Sequence, residues 1–286
     1  MNRSRFGRWP ALAVGVVTML VAFAAPVTRA GAVSGIGYDI SWPQCGKPLP
    51  PTPAFAVVGV GDGKPYTDNP CLATEYRWAQ ASGLPPAFYM NTANPGPDTT
   101  AINWYAQHSP NAACSPADQR ACAYNYGYNA AAQAYAYAGS QAAAGTGHTW
   151  WLDVETGNSW SPTNLGANLA DIAGSIDYLS SRKVPVGVYS TPYQWGKITG
   201  GARLAGLPNW AAGARDASQA SVYCSTKSFS GGPVLLSQFV EGRFDRAYAC
   251  PGADAVINPS PATADPLGDL LNGLKGILKG LGLNTG

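Results

Sequence analysis

Histidine is almost missing from this chain; His108 and His148 are its only two. That scarcity leaves little room for a Ser/His/Asp site, and each histidine is expected at the surface or in packing rather than as a general base. No Cys-x-x-Cys spacing occurs either, so the usual ligand pattern of a zinc site is absent and neither a metal nor a cofactor is expected. A dinucleotide loop is lacking as well. Gly59-Val60-Gly61-Asp62-Gly63 follows an apolar segment, but Lys64-Pro65 prevents the helix that a phosphate-cradling loop must open. Charge is scarce too, at 12% of residues, whereas 46% are hydrophobic. No Arg-Arg pair marks a twin-arginine leader.

What is present begins with an export pattern. Arg3, Arg5 and Arg8 precede an almost unbroken apolar run from Ala11 to Ala25, and Ala30-Gly31-Ala32 supplies small residues at a cleavage site. Residues 1–32 are therefore expected to be a secretion signal; the alternative is an uncleaved N-terminal anchor, for which the run is short. The whole chain carries net charge +2, and removing Arg3, Arg5, Arg8 and Arg29 brings it to −2. A weakly acidic domain has no field that would gather nucleic acid or acidic lipid.

All six cysteines, Cys45, Cys71, Cys114, Cys122, Cys224 and Cys250, follow the signal, and an even count in an oxidising compartment reads as disulfides. Several pairings are open; order along the chain favours Cys45–Cys71, Cys114–Cys122 and Cys224–Cys250.

Residues 33–257 suit one large domain. Apolar runs at Gly35–Ile40, Ala54–Val60, Ala87–Met90, Thr149–Val154, Val184–Tyr189, Pro208–Ala211 and Val234–Phe239 predict strands. Cys71–Ser82, Tyr128–Ala144 and Leu165–Ser181 predict helices, the last capped by Asn164 with Ile172, Ile176 and Leu179 on its inner face. The alternation implies an α/β fold with a mostly parallel sheet: an irregular, TIM-barrel-like (β/α) barrel, with an open doubly wound sheet as the alternative. Residues 108–127 read as a disulfide-pinned loop inserted before the second helix. Residues 258–266 form a Pro-rich linker. In the 267–286 tail, leucines recur at helical spacing among glycines. That tail is a candidate contact with a membrane surface or partner; a frayed or docked segment is the alternative. The domain is expected to be a monomer.

The sharpest chemical signal is Trp150-Trp151-Leu152-Asp153-Val154-Glu155. An apolar strand ends in carboxylates at i and i+2, which share a face. At the C-terminal end of a barrel strand they would stand on the active-site rim, where one of the two is expected to titrate high. A protonated acid beside a carboxylate is what glycoside hydrolysis requires. Asp39 at the end of the first strand and Asp245 just past the last, neighbours in a closed barrel, would join them. Tyrosine and tryptophan are abundant, at 15 and 9, and can floor a sugar site; Trp42 and Trp151, beside the acids, are candidates.

An ordered series of segments resembles the glycoside hydrolase family 25 lysozymes, which cleave peptidoglycan glycans. Gly37-Tyr38-Asp39-Ile40-Ser41, Leu152-Asp153-Val154-Glu155, Gly187-Val188-Tyr189-Ser190, Leu207-Pro208-Asn209-Trp210-Ala211 and Leu236-Ser237-Gln238-Phe239 follow that family's strand motifs, with Tyr193 and Trp195 in the loop after the third. The resemblance spans about residues 35–250. It implies Glu155 as general acid and Asp153 as the carboxylate that orients substrate or stabilises positive charge. By the same resemblance Asp39 and Asp245 are supporting acids, and Tyr189 and Gln238 line the sugar site. The implied partner is peptidoglycan or a related glycan. The chain departs from the family in Trp42-Pro43-Gln44-Cys45, in Phe244-Asp245-Arg246, in lacking Trp before Gln238, and in its cysteines and the 108–127 segment. Three readings stay open: an exported muramidase, a glycan-binding or envelope module that does not cut, and a chitinase-like hydrolase.

Overall fold

The computed structural model describes residues 35–97, 114, 119–142 and 147–259, together with Met1 and positions 276, 279 and 280. The segment expected to be a secretion signal (apart from Met1), His108 and nearly all of the 260–286 region lie outside these residues. Eight strands close into a barrel in chain order: β1 (Ile36–Ile40), β2 (Ala56–Gly59), β3 (Ala87–Asn91), β4 (Trp150–Asp153), β5 (Val186–Ser190), β6 (Asn209–Ala214), β7 (Val234–Glu241) and β8 (Phe244–Ala249). β1 through β7 run parallel, and β8 is antiparallel to both of its neighbours, β7 and β1. The expected irregular barrel is thus present, and its irregularity is this reversed strand.

β8 corrects the expected arrangement at the seam. The sequence predicted β7 as the last strand, beside β1. Instead the chain reverses after Glu241 through Gly242, whose φ of 66° is the left-handed conformation a tight hairpin needs. The returning strand Phe244-Asp245-Arg246-Ala247-Tyr248-Ala249 then fills the gap. Its side chains are mostly half-buried, so it carries none of the continuous apolar signal of the parallel strands.

Alternation along the strands builds two cores. Trp150 and Leu152 of β4 belong to the outer core with the helices, while Trp151 packs inside the barrel with Val57, Trp210 and Leu236. The helices are α1 (Leu72–Ala79), α2 (Gln119–Gln141), α3 (Leu165–Ser181), α4 (Pro192–Thr199), α5 (Ala217–Thr226) and α6 (Asp254–Ile257). In α3 the Asn164 side chain accepts from the backbone of Ala167 at 3.1 Å, and Ile172, Ile176 and Leu179 are fully buried as expected. Each such burial stabilises by roughly 1.5–3 kcal/mol relative to exposure. α6, with Val256 and Ile257 buried, joins the inner core at the barrel base.

α2 begins nine residues before the predicted Tyr128, so residues 119–127 are helix rather than inserted loop. The cause is a close helix pair. A β-carbon on Gly127 would sit 2.0 Å from the Asp171 carbonyl oxygen of α3, and one on Gly174 would sit 2.1 Å from that of Tyr124. Only glycine at both places lets the backbones meet. The segment after β5, predicted as a loop holding Tyr193 and Trp195, is α4; Trp195 is buried and Tyr193 exposed.

The six cysteines pair as Cys45–Cys71, Cys114–Cys122 and Cys224–Cys250, the connectivity that chain order favoured. Among the described residues, no helix is long and apolar enough to cross a membrane, and no group of three or more His, Cys, Asp or Glu could hold a metal ion. His148 is a packing residue: its Nδ1 lies 2.7 Å from the Pro86 carbonyl, and burial lowers its pKa.

Candidate active site

The barrel opens into a cavity of about 110 Å³ at the C-terminal ends of the parallel strands. It is lined by Asp39, Tyr89, Asp153, Glu155, Tyr189, Trp210, Gln238 and Asp245. That is roughly the space of three or four waters, enough for one substituent or the reacting end of a sugar. All four predicted acids meet here, with Tyr189 and Gln238 between them. No lysine or arginine is among the lining residues.

β4 and β3 place the first pair of acids and its support. Asn91 and Asp153 are register partners on the parallel ladder, so their side chains share a face. Asn91 Nδ2 donates to Asp153 Oδ2 at 2.5 Å. The Thr92 hydroxyl donates to the Asp153 backbone carbonyl at 2.6 Å. Beyond the strand, the turn carrying Glu155 is tied down at its backbone: the Trp160 indole N–H and the Asn158 amide both donate to the Glu155 carbonyl, at 2.8 and 3.1 Å. The Glu155 carboxylate accepts from Gln194 Nε2 of α4 at 3.3 Å. The Thr156 amide and hydroxyl in turn donate to Gln194 Oε1, at 2.6 and 3.0 Å.

β1, β7 and β8 place the second pair. Asp39 and Asp245 are directly opposed on the antiparallel ladder, which brings their β-carbons to about 5 Å. Gln238 Nε2 donates to Asp39 Oδ2 at 2.9 Å, and the Tyr189 hydroxyl donates to Gln238 Oε1 at 2.7 Å. A continuous hydrogen-bonded chain therefore runs from β5 to β1. Tyr89 completes the wall; Gly59 makes room for its ring, because a β-carbon there would lie 2.6 Å from it.

The electrostatics follow from crowding acids in a low-dielectric cup. Burial, then the charge of Glu155, holds the Asp153 pKa well above the usual carboxylate range. Burial, then Asp245, pushes Asp39 up to about 8, against the opposing bond from Gln238. Asp245 is raised by burial and by Glu155. In the Asp-x-Glu pair, Asp153 is thus held in a site that favours its protonated form.

Two predicted aromatic contacts sit elsewhere. Trp151 is fully buried beneath the cup with its ring 5.7 Å from that of Trp210, so it cannot face a ligand. Trp42 follows β1 in a short helical turn, half exposed, and does not line the cavity. Tyr89, Asn91, Gln194 and Trp210 are the site residues that sequence reasoning missed as such. Asn91 had one available signal, its place immediately after a predicted strand, Ala87–Met90, which in the structure extends to include it. Gln194 had none short of the fold, since it arrives from the helix after β5.

Residues 118–222, the span from α2 to α5 that includes Asp153, Glu155 and Tyr189, match the family described as Lysozyme-like protein 1. No curated protein matches the chain. Among solved structures, a muramidase from Acremonium alcalophilum is similar at 16% identity and a TM-score of 0.46, covering 75% of this chain and 92% of its own. The catalytic domain of endolysin ply40 from bacteriophage P40 of Listeria monocytogenes is similar at 16% identity and a TM-score of 0.43, covering 86% of this chain and 100% of its own.

Proposed function

We propose that the protein is an exported glycoside hydrolase of lysozyme type that cleaves β-1,4 bonds of peptidoglycan glycan strands. The observation that carries this reading is the gathering of Asp153 and Glu155, one of them holding a proton well above its usual range, in a cup at the barrel mouth. The local match to a lysozyme-like family across these residues supports it. Three disulfides support action outside the cytoplasm.

In this mechanism the pair holds one proton at rest, on the more deeply buried Asp153. Its transfer to Glu155 arms the general acid and leaves Asp153 charged. Glu155 protonates the glycosidic oxygen as the C1–O bond breaks, and the bond electrons leave with that oxygen. The Asp153 carboxylate faces the positive charge growing at C1. Water then adds to C1 and gives its proton to Glu155. Asp39, through Gln238, holds the Tyr189 hydroxyl at the cup wall. The rest of the glycan runs into a wider groove alongside, lined by Asn94, Pro95, Asn158, Trp160 and Thr163.

Reducing-end release from purified peptidoglycan tests the reading. Wild type should release ends between pH 4 and 8, and Glu155→Gln should lose about 10²–10⁴-fold. Binding of glycan without release by wild type would instead make the domain a non-cutting glycan-binding or envelope module. Cleavage of chitin but not peptidoglycan would make it a chitinase-like hydrolase.

A further inference from the structure

We propose that Asn91 is the positioning residue of the acid pair: by donating to one oxygen of Asp153, it assigns the pair's shared proton to the other oxygen, the one that serves Glu155. This rests on reading Asp153 and Glu155 as the reacting pair.

The argument is one of hydrogen-bond supply. A carboxyl group has two oxygens, and an oxygen that accepts from an amide N–H is disfavoured as the site of the proton. Asn91 Nδ2 reaches Asp153 Oδ2 at 2.5 Å, and both residues are buried, Asn91 at 9% exposure and Asp153 at 6%. Asp153 Oδ1 is buried without a hydrogen-bond partner. A buried acceptor left bare is costly, but an oxygen that carries the proton is a donor, and the acid with which the Asp153 side chain interacts most strongly is Glu155. The amide thus leaves Oδ1 as the proton's place and Glu155 as its recipient. The register of β3 on β4 makes the contact rigid, because Asn91 and Asp153 are ladder partners at the last residue of each strand. In the second pair an amide again donates to one carboxyl oxygen: Gln238 Nε2 reaches Oδ2 of Asp39, the ladder partner of Asp245.

The groups around Asp153 are Asp39 from β1, Tyr89 from β3, Glu155 beyond β4, Tyr189 from β5 and Asp245 from β8, and none is a cation. The amide of Asn91 is therefore the group that favours the ionised form of Asp153, opposing every neighbour that acts the other way. When the proton passes to Glu155, the new Asp153 carboxylate depends on this N–H.

The test uses Asn91→Leu, which keeps the volume and removes the donor, and Asn91→Asp, which replaces it with a further acid. The full domain is labelled with ¹³C at aspartate carboxyl carbons, and the Asp153 resonance is followed by NMR across pH 4 to 10. In wild type it should titrate above the ordinary range, and in Asn91→Leu about one pH unit higher still. Reducing-end release by Asn91→Leu should fall about ten- to a hundredfold in kcat with KM little changed, and its alkaline limb should move up with the resonance. Asn91→Asp should be worse. Asn91→Ala, which leaves no buried polar group, provides a second folded variant if Asn91→Leu unfolds. An Asp153 titration that is the same in wild type and variants, or lost activity with an unmoved pH profile, would overturn the proposal. A shifted resonance in a protein that cleaves no peptidoglycan would keep the role of Asn91 and sink the muramidase reading.

Discussion

The two acid pairs of the cup are built in different ways. Asp153 and Glu155 come from one strand and the turn after it, two residues apart. Asp39 and Asp245 stand 206 positions apart in the chain and meet only because β8 turns back against β1. The first pair is steadied by neighbours on each side, Asn91 of β3 and Gln194 of α4. The second hangs on a single relay, from Tyr189 through Gln238 to Asp39. The seam that makes it is stapled as well. Cys45–Cys71 holds the loop after β1, and Cys224–Cys250 ties α5 to the end of β8. A pair made locally needs only its strand, whereas a pair made by closure needs the whole barrel.

That contrast can be broken from either side. The largest effect is expected at the local pair: Glu155→Gln should reduce reducing-end release about 10²–10⁴-fold while leaving the melting temperature nearly unchanged. The next is a loss of stability at the seam. Replacing Cys224 and Cys250 with Ser frees a 26-residue span and should cost roughly 3 kcal/mol, read as a lower denaturation midpoint, with activity retained in the surviving folded fraction. The same change at Cys114 and Cys122, eight residues apart, should cost less.

The closure pair should also make stability depend on pH. Burial and Asp245 push Asp39 up to about 8 in the folded state, against 3.8 for an unperturbed aspartate, so between these values the folded state holds a proton that the unfolded state has lost. Stability is therefore greatest at the acid side of this window and declines as pH rises toward 8, by at most about 1.4 kcal/mol per pH unit for each retained proton. Asp39→Asn should flatten that decline, which thermal melts from pH 4.5 to 8 would measure; an unaltered slope would place the retained proton elsewhere. The smallest change is expected from Tyr189→Phe, which removes one neutral hydrogen bond from the relay and should lower activity about fivefold, as kcat/KM on peptidoglycan would show.

The same contrast explains what could be seen in the sequence. The seven parallel strands are buried on both faces, so each appears as an apolar run, and α3 declares itself through Asn164 and its Ile/Leu stripe. The Asp-x-Glu pair was legible because alternation along a strand is a local rule. The cross-strand position of Asp245 was not, since the half-polar β8 resembles a loop until the barrel needs closing. α4 and α5 are short, at 8 and 10 residues, and too slight for periodicity. Their caps were nonetheless written in Thr191-Pro192 and Asp216. Trp151 misled because an aromatic beside an acid suggests a sugar platform; alternation sends it inward, one layer below the cup. Asn91 stayed hidden because its importance lies wholly in register with a strand 62 residues away.

The reversed strand also settles where the chain leaves the barrel. β8 starts at the mouth and ends at the base, and α6 tucks Val256 and Ile257 into the interior core from below. A chain running on from Asn258 therefore departs from the pole opposite the acids. Any tether fixed to that end, whether to a surface or to another protein, would hold the domain by its foot with the cup turned outward, free to meet a polymer approaching from the far side.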